Sequence, residues 1–410
     1  MPQNSASAFA VEVPSLSRLL DPAVLADPYP LYRSLREHGP VLWDPLLHAW
    51  VVSGYPECVS VLHRFSADRT PSPDQMHAMG MDMLAPLARV MTKQMLFMDP
   101  PDHTRLRRLA AIAFTPRRVE HLRAHISNIA DRLIDRVRAD RSMDVIADFA
   151  APLPAIVTAE MLGVPAEDHE QLKDWSADFA GMLGNFQHNP DLAQRALLSV
   201  EAMGAYFRKR IREQEKTPKD GLISAFMAAE FDGAKLNEEE IIANIIVTMV
   251  GGQETTTNLI GNGLLTLLRN PPALSLLRDQ PEIIESAVEE LLRYESPSQH
   301  TARIAPADLE LGGRCVRKGD AVIAIMASAN RDPRRFPNPD KLDLMRADNR
   351  HLAFGWAAHF CFGAPLARIE GQIAFTALSH LSGLALAPQR LQWRENLGLR
   401  GLKSLRVTFG

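Results

Sequence analysis

Cys361 lies in Phe354-Gly355-Trp356-Ala357-Ala358-His359-Phe360-Cys361-Phe362-Gly363-Ala364-Pro365, just ahead of the helical pattern Leu366 to Leu378. A thiol at a helix start feels the positive end of the helix dipole and free backbone amides, which favour the thiolate and lower its pKa. Such a thiolate can bind a metal or attack an electrophile. His359 stands two residues away as a candidate base, but no pattern in the chain supplies the third member of a hydrolytic set. That favours a ligand over a nucleophile. The plainer alternative is a buried structural cysteine.

Gly251-Gly252-Gln253-Glu254-Thr255-Thr256-Thr257 interrupts an otherwise apolar helical run. A helical glycine costs about 1 kcal/mol, and a buried carboxylate costs more. Broken local rules mark a functional site. Here the glycines would let the backbone open towards a cofactor, while Glu254 and the Thr255 hydroxyl supply protons. The alternative is a packing kink with Glu254 reaching solvent.

The elements that must position these residues are mainly helical. Asn237 and the acidic turn Glu238-Glu239-Glu240 form a helix start with Glu240 at the capping-box position. Apolar periodicity then runs from Ile241 to Leu268 and stops before Pro271. At about 1.5 Å per residue this predicts a helix of roughly 45 Å. Val119 to Val137 and Asp191 to Glu215 carry the same periodicity. Strand signals are Val41 to Trp43, Trp50 to Val52, Val316 and Val322 to Met326 around the turn Lys318-Gly319-Asp320, and Leu405 to Phe409. Without a repeat or linker, the sequence predicts one mainly α domain over 1–410 with small β-sheets at its margins.

Two segments are less regular. Arg69 to Pro100 holds Met76, Met79, Met81, Met83, Met91, Met95 and Met98, and reads either as an adaptable apolar lid over a greasy ligand or as core filler. Arg331 to His351, crowded with Pro, Asn, Asp and Arg, reads as an ordered meander held by charge pairs or as a solvated loop.

With 46% apolar and 23% charged residues, the chain is not of the disordered, collagen-like or disulfide-framework class. Its net charge of -4 argues against nucleic acid or an anionic membrane as partner. Cys58, Cys315 and Cys361 are dispersed and odd in number, which fits a reducing compartment and no Cys-rich zinc module. Met1 to Leu20 lacks the pattern of a signal peptide, and no run approaches 18 apolar residues. A cytoplasmic protein without a membrane anchor is expected.

The chain resembles the bacterial cytochrome P450s, haem-thiolate monooxygenases, nearly end to end, from Asp27-Pro28-Tyr29-Pro30-Leu31-Tyr32 to Arg400-Gly401-Leu402. Four motifs carry the resemblance in order. Asp99-Pro100-Pro101-Asp102-His103-Thr104-Arg105-Leu106-Arg107-Arg108 is similar to the family's haem-flanking helix start, and Gly251-Gly252-Gln253-Glu254-Thr255 to its oxygen-activating helix motif. Glu290-Leu291-Leu292-Arg293 is similar to its Glu-x-x-Arg core pair, and the Cys361 segment to its haem-binding loop, with Phe354 seven residues before the cysteine and Gly363 two after. One departure is Ala357, where the family usually has Gly four residues before the cysteine. If that position needs positive φ, Ala costs about 1 kcal/mol and haem packing changes slightly, while ligation survives.

The resemblance implies a cytochrome P450 fold with the long helix over haem b, iron protoporphyrin IX. Cys361 would be the axial ligand of the iron, Phe354 part of the haem loop, and His103, Arg107, Arg303 and His359 the partners of the propionates. For His103 and Arg107, spaced i, i+4, the alternative is a solvated helix face. Thr255 would hydrogen-bond the oxygen being activated, and Glu254 would relay protons. Glu290 and Arg293 would form a buried pair tied to the meander through Arg346, instead of an exposed pair worth about 0.2–0.5 kcal/mol. Val247, Val250, Gln299, Thr301 and Phe179 would face the substrate.

The implied reaction inserts one atom of O2 into a hydrophobic small molecule of secondary metabolism, by hydroxylation or epoxidation. A monomer would receive electrons from a ferredoxin and its reductase, with Arg108, Arg117 and Arg118 as docking charges or simply solvated ones. The alternatives are a peroxide-using or oxidative-coupling haem-thiolate enzyme, and a non-catalytic haem-binding sensor.

Overall fold

Helix Glu238–Arg269 runs unbroken through the main hydrophobic core of the computed structural model, which describes residues 14–113, 116–185, 189–231 and 233–410. Its start is the expected capping box: Asn237 Oδ1 accepts from the Glu240 amide at 2.9 Å, and the Glu240 carboxylate accepts from the Asn237 amide at 3.0 Å. The three first-turn glutamates also clamp other elements. Glu238 pairs with Arg208 of helix Pro190–Lys216, Glu239 with Lys93, and Glu240 with Arg105 of helix Asp102–Ala113. The acids that suit the helix dipole thereby fix what surrounds it.

Val119 to Val137 is not one helix. The chain forms Pro116–His121 and Arg123–Val137, with Leu122 between them at φ -77° and ψ -13°. The stretch Val145–Leu162 has the length and mean hydropathy of a membrane span, 1.5 over 18 residues, yet 61% of it is buried within the protein.

A four-stranded sheet runs in the order Val41–Asp44, Ala49–Val52, Ala321–Ala324, Thr301–Ile304, with the central pair parallel and the outer pairs antiparallel. Its edge strand Thr301–Ile304 gave no sequence signal, because a short run carrying Thr and Arg on one face looks like a loop. The turn at Lys318-Gly319-Asp320 exists, with Gly319 at φ 87°, but its flanks enter different sheets. Arg314–Val316 pairs with Leu309–Leu311, whereas Ala321–Ala324 joins the large sheet and the chain turns helical at Met326–Ala329. The tail strand is Arg406–Thr408, between Ser142–Asp144 and Ala385–Leu386.

The meander is held from below by Glu290 and Arg293, both fully buried. Arg293 Nε and Nη2 each meet the Glu290 carboxylate at 2.7 Å, and Nη1 donates to the carbonyls of Asn330 and Pro339. Glu290 also accepts from Arg346 Nε at 3.0 Å, Asn349 Nδ2 at 3.1 Å and the Asp343 amide at 2.9 Å. The pair is an internal knot, since nearly every polar site on it is used.

The methionine-rich segment is more ordered than its composition indicates, with helices Pro73–Ala78 and Ala85–Met91. Asn244 of the long helix pins its end, accepting from the Met95 amide and donating to the Lys93 carbonyl, both at 3.0 Å. Met76, Met91 and Met95 face a cavity, whereas Met79, Met81 and Met83 are exposed. The segment is a cavity wall with a bare outer face.

Candidate active site

A cavity of about 690 Å³ lies between the long helix, the methionine-rich wall, strand Thr301–Ile304 and the Cys361 loop. Val247, Val250, Gly251 and Thr255 line it from the helix, and Cys361, Phe354 and His359 from the loop. Most of the wall is apolar, as in sites for hydrophobic ligands.

The loop is closed by a hydrogen bond of 2.7 Å from the Cys361 amide to the Phe354 carbonyl, and helix Ala364–Ser379 starts three residues after the cysteine. The sequence predicts a lowered thiol pKa, but burial pushes it up. Contacts with the Gly363 and Ala364 amides and the charges of Arg107 and Arg368 pull the other way without prevailing. A buried neutral thiol is a poor free nucleophile, and it gives up its proton when a metal cation binds the sulfur. That is the behaviour of a ligand.

Ala357 adopts φ 55°, so the departure in the loop costs backbone strain. Ala357→Gly should therefore raise the thermal midpoint of the haem-loaded protein, with a gain of up to about 1 kcal/mol after glycine's extra unfolded-state freedom is subtracted. An unchanged or lower midpoint would show that the loop does not feel this strain.

Two arginines and two histidines surround one edge of the cavity. The rings of His103 and His359 lie 4.1 Å apart, and Arg107 donates to the Phe360 carbonyl. Arg303, from the edge strand, donates to Thr301 Oγ1 at 2.9 Å and to the Ala302 carbonyl at 2.8 Å. His103 Nε2 and Arg303 Nε are buried without a partner. Burial first, then His103, Arg303 and Arg107, push the His359 pKa down to about 3 against the opposing charge of Asp99. Among the described residues neither arginine forms an ion pair with a carboxylate. Orphaned donors and guanidiniums outside any ion pair form a cradle for an anionic group. With an apolar cavity that also holds a thiol, they fit a flat, metal-bearing ring with carboxylates at one edge.

The long helix does not open at its glycines. A Cβ built on Gly251 meets nothing within 4 Å, so this position presents bare backbone to the cavity, while one on Gly252 would lie 3.3 Å from Thr158 Oγ1. Thr255 Oγ1 donates to the Gly251 carbonyl at 2.6 Å. Glu254 does not line the cavity; it is ion-paired with Arg394 and within 3.4 Å of Asn258 Nδ2.

Val247, Val250 and Thr301 line the cavity as expected of substrate contacts, and two other residues do not. Gln299 is buried outside it, its Oε1 accepting from the Tyr32 hydroxyl at 2.9 Å and its amide donating to the Ser296 carbonyl. Phe179 is fully buried in the main core. Both are corrected to packing residues. The side chains of Arg117 and Arg118 fall outside the described residues. Sequence reasoning missed two wall residues. Glu370, whose pKa burial raises to about 8, was detectable as an acid on the apolar face of helix Ala364–Ser379. Arg69, at the start of an irregular segment without periodicity, gave no signal.

This fold and site define a haem-thiolate protein. The model of the Cytochrome P450 family matches residues 79–382. A biotin biosynthesis cytochrome P450 of Bacillus subtilis (strain 168) is 40% identical over 390 residues, covering 94% of this chain and 97% of the relative. The polyketide biosynthesis cytochrome P450 PksS of the same organism is 40% identical over 370 residues, covering 88% and 89%. Among solved structures, P450BioI in complex with hexadec-9Z-enoic acid ligated acyl carrier protein matches with a TM-score of 0.88 at 38% identity, over 95% of this chain and 99% of that one. The chain belongs to the cytochrome P450 family, whose cofactor is haem b and whose members include named monooxygenases.

Proposed function

We propose that this P450 inserts one atom of O2 into a hydrophobic small molecule of secondary metabolism, as a cytoplasmic monomer supplied with electrons by a ferredoxin and its reductase. The observation that carries the reading is that Cys361 and the Thr255–Gly251 pair share one apolar cavity edged by arginines that form no ion pair among the described residues. Bound haem supplies the O2 activation, with thiolate ligation pushing electron density towards O–O cleavage.

The protein's own residues do the rest. Cys361 supplies the sulfur ligand, and Arg107, Arg303, His103 and His359 hold the carboxylate edge. Thr255 keeps a hydroxyl proton at the cavity surface, parked on the Gly251 carbonyl and free to rotate away. Glu254 carries protons by exchanging Arg394 for the Thr255 side of the helix. Val247, Val250 and Thr301 orient the substrate and exclude water. Relatives that act in biotin and polyketide biosynthesis support an apolar or acyl substrate. The test is turnover of purified protein with NAD(P)H and surrogate ferredoxin and reductase. Oxygenated product is expected; product with hydrogen peroxide alone and none with the redox partners would favour a peroxide-using enzyme.

A further inference from the structure

Arg69 stands in the cavity wall at the start of the methionine-rich segment, between Ala67 and Pro71. Its guanidinium lies 4.6 Å from the centroid of the Phe97 ring, and its hydrogen bond is to the Ala67 carbonyl at 3.1 Å. No carboxylate among the described residues pairs with it. Burial and the charge of Arg303 both act against its cationic form, lowering its pKa to about 9. Asp99, which accepts from Ser66 Oγ and the Ala67 amide, supports Arg303 but forms no ion pair with Arg69, so this buried guanidinium beside another cation is stabilised by an incoming anion. The same cavity wall carries Met76, Leu87, Met91 and Phe97.

The two carboxylates of a bound haem would have four donors from other elements: Arg107 and His103 on helix Asp102–Ala113, Arg303 on the edge strand and His359 on the loop. Arg69 belongs to none of these; it lines the cavity at the start of the methionine-rich segment. Resting on the function proposed above, we infer that Arg69 binds the carboxylate of the substrate, a free long-chain carboxylic acid whose apolar tail fills the methionine-lined cavity. The carboxyl end is then held at the wall, and oxidation falls on carbons remote from it. A chain carried as a neutral thioester offers no charge for Arg69, so the free acid is the form the site recognises.

The test uses the haem-loaded enzyme. Binding of hexadec-9Z-enoic acid and of the matching neutral alcohol is measured by haem spectral shift and equilibrium dialysis for the wild type, Arg69→Gln and Arg69→Lys. Haem transfer to apomyoglobin is followed in parallel. The expected result is that Arg69→Gln weakens the acid at least tenfold, leaves the alcohol within about twofold and does not change haem transfer, with Arg69→Lys recovering part of the loss; tenfold corresponds to about 1.4 kcal/mol. Faster haem transfer with acid and alcohol weakened alike would place a haem carboxylate on Arg69 and overturn the proposal. So would a wild type that does not prefer the acid, or an Arg69→Gln enzyme indistinguishable from it. A wild type lacking a thiolate-type haem spectrum would instead overturn the haem-thiolate reading itself.

Discussion

Arg293→Ala is expected to yield little or no folded, haem-loaded protein. The change strips Glu290 of its bidentate partner while leaving its carboxylate fully buried, and frees the Asn330 and Pro339 carbonyls that Arg293 Nη1 satisfies. Breaking a buried pair from one side costs about 3–5 kcal/mol. That is a large share of the roughly 5–15 kcal/mol that holds a typical domain together. Arg346 and Asn349 still reach Glu290, so a residual structured fraction is compatible with the account. The check is soluble yield, haem content and thermal midpoint beside the wild type. A wild-type midpoint would mean that the meander is held by something other than this knot.

Thr255→Ala is expected to separate electron consumption from product. The variant should bind haem with an unchanged resting spectrum, because the Thr255 hydroxyl bonds the Gly251 carbonyl of its own helix and is not a ligand of the iron. It should still consume NAD(P)H through surrogate partners. Product per NAD(P)H should fall by about tenfold or more, the low end of what a positioned proton donor contributes being nearer a hundredfold. Hydrogen peroxide should account for the difference, and Thr255→Ser should restore much of the coupling. Unchanged coupling in Thr255→Ala would remove this hydroxyl from the mechanism.

Much of this site was legible because its motifs break local rules in short stretches of sequence. Gly251-Gly252 in an apolar helix, and a cysteine just before a helix start, need no long-range information. The capping box at Asn237 and Glu240 was legible for the same reason. What sequence could not supply was direction and burial. Gln299 and Thr301 are two residues apart, yet one hydrogen-bonds Tyr32 away from the cavity and the other lines it, because the strand begins only at Thr301. Phe179 is periodic and apolar like a true wall residue, and only packing separates the two roles.

Cys361 shows the limit in electrostatic form. The amides and charges that the sequence predicts are present, but desolvation of the sulfur outweighs them. The sequence lets Glu254 reach solvent or serve the cavity, whereas in the fold Arg394, 140 residues further along the chain, holds it. Arg69 is the converse case, a residue whose burial in the cavity wall only the fold reveals.

The most direct test of the central claim is the absorbance difference spectrum of purified, dithionite-reduced protein with and without carbon monoxide. The account predicts the red-shifted band of thiolate-ligated haem in the wild type and its loss in Cys361→Ser; absence of haem, or a histidine-type band in the wild type, would contradict it.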